Sequence, residues 1–225
     1  MTKKKTMTAA VIVYALLLYI TWALTELVLV PAVNSAVTDE YARELIRDCV
    51  LKNIIWTLPA FLLIRRFSKE LYISKKELFG MNKTGLKLLL ISVPLAVFVL
   101  SGVIVRTHTV AISPSFHPSE FISLLFVGIT EEFVFRGLFL NYSLSLAKKN
   151  IHRYIAFGIN ALMFLMIHFP IWISEGIFVS SFTGFGFVTV MALGVLFGWT
   201  VTKSRSIWPA VILHSFYDLI VFLFV

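Results

Sequence analysis

The chain has 225 residues, 59% of them apolar and 14% charged, with a mean hydropathy of +0.90. A soluble domain runs near ~45–50% apolar and has no interior large enough for so much apolar surface, so the surroundings must be lipid. The net charge is +8, and the single cysteine, Cys49, excludes an intramolecular disulfide framework and a cysteine-based zinc cluster.

A helix needs about 20 mostly apolar residues to cross ~30 Å of hydrocarbon. Seven stretches qualify, which predicts an all-α, polytopic membrane bundle of about seven transmembrane helices. The first, Ala9–Val30, follows Lys3–Lys5; it is too long for a signal-peptide core and no A-x-A site follows, so it reads as an uncleaved anchor. The second, Val50–Ile64, is the shortest. Between it and the third, Leu86–Val105, the stretch Arg65–Lys87 mixes charges with Leu71, Tyr72, Ile73, Leu78 and Phe79 and reads as a segment lying on the membrane surface. The remaining four are Phe121–Tyr142, Tyr154–Ile173, Gly176–Val201 and Ile207–Val225. What is left suffices for loops, so no soluble domain is expected.

Seven spans assign every loop to a side. With the N-terminus cytoplasmic, the inside carries 15 of the 20 Lys and Arg: Lys3–Lys5, seven residues between Arg65 and Lys87, then Lys148, Lys149, Arg153, Lys203 and Arg205. The outside carries Arg43, Arg47, Lys52 and Arg106, beside an acidic loop with Asp39, Glu40, Glu44 and Asp48. The positive-inside rule therefore predicts a multi-pass cell-membrane protein with its N-terminus inside and its C-terminus outside. It also accounts for the basic charge without nucleic acid as a partner.

Ionisable groups inside a span cost at least ~2.5–3.5 kcal/mol near its centre, which makes each a functional candidate. The fourth span holds Glu131, Glu132 and Arg136, the fifth His168, and the seventh His214 and Asp218. Glu132 and Arg136 are four apart on one helix face and can pair, whereas Glu131 lies about 140° around the helix from Arg136. Glu131 is thus the expected free carboxylate, able to take a proton from water near neutral pH. His214 and Asp218 also share a face, so the carboxylate could orient or polarise the ring. At ~1.5 Å per residue, these groups lie roughly 10–20 Å into the layer, within reach of one polar cavity. The bland readings are a self-neutralising Glu132–Arg136 pair and histidines that hydrogen-bond between helices.

Outside this set, His108, His117 and His152 read as solvated residues, and Glu26 as a side chain reaching the interface. Gly194-Val-Leu-Phe-Gly198 is a G-x-x-x-G that lets helix backbones approach, and Trp172, Trp199 and Trp208 fit an interfacial belt. Gly184 and Gly186 read as packing or a local kink, and Cys49 has no base beside it in sequence.

Glu131-Glu132-Phe-Val-Phe-Arg136, Phe164-Leu-Met-Ile-His168 and His214-Ser-Phe-Tyr-Asp218 fall on successive polar spans in the order E-E-x-x-x-R, F-x-x-x-H, H-x-x-x-N/D. In this the sequence resembles the CPBP (Abi) family of CAAX proteases and bacteriocin-processing enzymes, over roughly Phe121 to Leu223. The resemblance implies residues 1–108 as weakly matched N-terminal transmembrane helices and residues 109–225 as the catalytic core of one integrated membrane domain. It implies an endopeptidase acting on a membrane-associated, prenylated CAAX-like or bacteriocin-type peptide. Glu131 would activate water with His168, while His214 and Asp218 stabilise the oxyanion or position the water, and Glu132 and Arg136 support them. Family members commonly carry Asn where this chain has Asp218.

Metal dependence stays open: Glu131, His168 and His214 could form a His₂Glu site for a divalent metal such as zinc, or a glutamate base with histidine donors could act without one. The slight preference is for the second. Two competing classes remain, a non-enzymatic bacteriocin immunity or accessory protein and a proton-coupled transporter. The intact motif set weighs against the first, and the lack of paired broken spans against the second.

Overall fold

The computed structural model describes residues 3–225 and is helical throughout, apart from loops and one short extended pairing of Ile112 with Phe224. Its seven long helices are α1 (Lys3–Ala36), α2 (residues 40–67), α3 (Lys83–Thr107), α4 (residues 120–146), α5 (Asn150–Ser174), α6 (Gly186–Ser204) and α7 (Trp208–Leu223). Four of these, α1, α3, α5 and α6, are long and apolar enough to cross a membrane by length and composition; α7 is apolar but shorter. Leu16, Ile20, Leu90, Val97, Val105 and Phe185 stand exposed on the outside of the bundle, the inverse of a soluble surface and what a lipid solvent favours.

Two boundaries depart from those expected. Residues 40–49, expected as an acidic loop, already form the first turns of α2, because the Asp39 carboxylate accepts the Ala42 N–H (2.7 Å) as an N-cap. The stretch from Gly176 is not one helix: Gly176 adopts φ +70, the six-residue helix Phe178–Thr183 follows, and α6 starts only at Gly186. A left-handed glycine ends a helix at little steric cost; Gly176 separates α5 from this short helix, and the extended Gly184 separates the short helix from α6.

The segment between α2 and α3 corrects a third expectation. Its apolar side chains turn into the protein rather than outward: it plugs the end of the bundle, with Ile73 and Leu78 fully buried. Asn141 fixes it with two hydrogen bonds, accepting from Ile73 N (2.6 Å) and donating to Ile73 O (3.0 Å). Ser74 and Glu77 form a capping box that starts the turn Lys75–Leu78. The Arg205 guanidinium, followed by Ser74, holds the exposed Glu77 carboxyl down at about 2.

Around this plug the basic turns collect at one end. Lys4 reaches Ser145 O (3.4 Å), Arg153 donates to Tyr72 OH (2.7 Å), Arg205 pairs with Glu77 (2.7 Å), and Asn82 donates to Ser204 O (2.6 Å). At the other end Ala111 and Val225 exchange backbone hydrogen bonds (3.1 and 3.0 Å) and tie the last residues of the chain to the α3–α4 loop.

Two close approaches set the helix spacing that matters for the site. A Cβ at Gly194 of α6 would meet Ala161 Cα of α5 at 3.2 Å, so the backbones touch where the G-x-x-x-G predicted contact. A Cβ at Gly128 of α4 would overlap Ser215 Oγ and press on Val211 O of α7 at 3.3 Å. Gly128 thus lets α4 and α7 meet backbone to backbone, one turn before Glu131 and Glu132.

Candidate active site

After Glu132 the hydrogen-bonding of α4 widens into i→i+5 turns over Phe133–Leu140. Similar widened turns occur at Thr25–Leu29 in α1 and at Leu45–Leu51 and Asn53–Thr57 in α2. Such turns are rare and gather at functional sites. Here they carry or adjoin Glu26, Asp48 and Lys52, which line one cavity, and Arg136, which is fully buried and pairs with Glu132.

Glu132 and Arg136, both fully buried, pair at 3.0 Å across one helical turn. The guanidinium also stacks 4.0 Å over the Phe164 ring and donates to Gly194 O at 3.3 Å. The same carboxylate oxygen, Glu132 Oε1, accepts from His214 Nδ1 at 2.8 Å. Glu132 is therefore more than half of a self-neutralising pair, since it orients the histidine of α7. The His214 ring lies flat on Phe197 at 5.1 Å, which leaves Nε2 as its outward edge. Nε2 faces Asp218 Oδ2 at 3.4 Å and Glu131 Oε2 at 3.9 Å.

Glu131 is not the free carboxylate that helix geometry suggested. Its Oε1 accepts from Lys52 Nζ at 3.1 Å, and only Oε2 has no protein hydrogen-bond partner. Lys52 is buried on α2 rather than solvated outside. Its ammonium lies 3.6 Å from Asp48 and a little over 5 Å from the Trp22 and Trp56 rings. Asp48 and Glu26 are likewise buried. Sequence reading placed Asp48 and Lys52 outside because it began the second helix at Val50, and it let Glu26 of α1 reach the interface. With the helix starting at Glu40, Asp48 and Lys52 become an i,i+4 pair inside it, which is the signal that could have found them.

His168 sits where α5 is interrupted, two residues before Pro170. Proline cannot donate its backbone nitrogen and crowds the carbonyl four residues earlier, so the helix loosens there. The ring is then held by its Nδ1, 2.7 Å from Phe164 O. If Nδ1 carries the proton that this carbonyl accepts, Nε2 keeps the lone pair.

Glu131, His168, His214 and Asp218 share a cavity of about 420 Å³, with Glu26, Asp48, Lys52 and Ser123 on its walls. Trp172 lines it too, turned inward beside His168 rather than set in an interfacial belt. The lining comes from the ends of the helices remote from the basic turns. Val221 is a wall of this cavity and also of an apolar groove of about 1110 Å³ between α3, α6 and α7 that includes Phe98, Gly102, Leu196 and Tyr217.

The His₂Glu set fits a metal poorly. Among the described residues no group of three His, Cys, Asp or Glu is arranged to hold an ion. The Lys52 ammonium 3.1 Å from Glu131 would also repel a divalent cation placed on that carboxylate.

Residues 113–220 match the family model described as type II CAAX prenyl endopeptidase Rce1-like. No curated protein and no solved structure matches the chain.

Proposed function

We propose, from the match of residues 113–220 to the Rce1-like type II CAAX prenyl endopeptidase model, that this membrane protein hydrolyses a peptide bond of a lipid-modified, CAAX-like peptide, using Glu131 to activate water. The observation that carries the reading is Glu131 Oε2, buried without a protein partner and 3.9 Å from His214 Nε2 at the wall of the polar cavity. Oε2 takes a proton from water as its oxygen attacks the scissile carbonyl carbon. The carbonyl electron pair moves to oxygen, where His214 donates; both nitrogens of that ring face carboxylates, so it can donate from both edges. His168 Nε2, with its lone pair, orients the water. When the C–N bond breaks, Glu131 returns the proton to the departing amine.

The adjoining apolar groove supports a lipid-bearing substrate, because an isoprenoid chain and a peptide need an apolar and a polar cavity side by side. Purified protein is expected to cleave a farnesylated CAAX peptide with a KM well below that for the same peptide without the lipid. Equal KM values would remove the groove from the reading, and cleavage unaffected by Glu131→Gln would remove the reading itself.

Asp218 separates two roles. As a neutral acid it would donate a hydrogen bond to the oxyanion as an amide does; as an anion it would hold His214 cationic. We expect the first, because an anion facing a developing oxyanion repels it. Asp218→Asn should then keep most activity and Asp218→Ala lose roughly 10²–10³-fold in kcat. Equal inactivity of the two variants would show that the charge itself is needed.

A further inference from the structure

The residue that engages the base comes from outside the matched segment. Lys52 lies on α2, whereas the family match begins at residue 113. From the geometry we infer that Lys52 is a positioning residue for Glu131, an assignment that rests on the glutamate-base reading. Its Nζ holds Oε1 at 3.1 Å and so fixes the carboxylate with Oε2 toward His214.

The lysine is itself confined. Trp22 of α1 and Trp56 of α2 place their rings a little over 5 Å from its ammonium, and Asp48 lies 3.6 Å away. Asp48 in turn accepts from Arg47 (2.9 Å) and Ser123 (2.6 Å). The chain of contacts runs from Ser123 on α4 through α2 and back to Glu131 on α4, closing a loop on the helix that carries the base. A carboxylate on an unbranched side chain has several rotamers; a cation fixed by two rings and an acid selects one. The N-terminal helices thus supply part of the active site and not only its anchor.

The test uses the full-length protein in detergent, with the farnesylated CAAX peptide and the variants Lys52→Met, Lys52→Arg, Glu131→Gln and Lys52→Met/Glu131→Gln. The expected order of kcat is wild type, then Arg, then Met, with the Met variant down by up to on the order of 100-fold and KM unchanged. A lysine that serves only to hold the fold would not split kcat from KM in this way. In thermal melts the double variant should lose less than the sum of the two single losses, because the Lys52–Glu131 contact can be lost only once.

Wild-type kcat in both Lys52 variants, or additive melting losses, would overturn the assignment. If Lys52→Met does not fold, Lys52→Arg decides alone: reduced kcat at wild-type KM supports it and wild-type kcat overturns it. Wild-type protein that does not cleave, or cleaves as well as Glu131→Gln, sinks the glutamate-base reading and this assignment with it. Glu131-dependent cleavage untouched by Lys52 sinks this assignment alone.

Discussion

Glu131→Gln is expected to lower kcat by ~10²–10⁴-fold, the scale of a general base, while the protein stays folded. Gln keeps the shape of the side chain and can still accept from Lys52, whose charge retains Asp48 at 3.6 Å. What it loses is the anionic oxygen facing His214. Turnover of the farnesylated peptide and a thermal melt in the same detergent read the two effects separately. Retained turnover would assign proton abstraction elsewhere in the cavity.

The neighbouring carboxylate should behave differently. Glu132→Gln leaves Arg136, fully buried, without its counter-ion and takes the anionic partner from His214 Nδ1. Breaking a buried pair by removing one member costs about 3–5 kcal/mol, so the melting midpoint should fall steeply and activity with it. Glu132→Gln combined with Arg136→Met should recover much of the stability, since no isolated charge then remains, but not the activity, since His214 is still unanchored. A Glu132→Gln melt like that of the wild type would mean that Phe164, 4.0 Å from the guanidinium, and Gly194 O suffice to hold Arg136.

These two glutamates also show what the sequence made legible. Spacing of four put Glu132 with Arg136 and His214 with Asp218, and the structure brings both pairs together. The same rule failed for Glu131 because its partner lies 79 residues away on another helix, and no periodicity within one span reports that. Lys52, Asp48 and Glu26 looked like charges near span ends; where a helix begins decides whether such a group meets water or a cavity, and the Asp39 cap moves that start by ten residues. The plug around Ile73 and Leu78 was hidden for a related reason. A segment that alternates charge and apolar residues looks the same whether its apolar side meets lipid or protein, and here Asn141 decides for protein.

The contact at Gly128 has a mechanical consequence. Because α4 and α7 approach there through the bare Gly128 backbone, any side chain added at residue 128 must displace Ser215 or push on the α7 backbone at Val211. Glu131 lies only about one turn along α4 from that approach, so a displacement of the helix at residue 128 carries to it directly. A side chain at residue 128 would therefore be felt at Glu131 and Glu132, which both face His214 from the same helix.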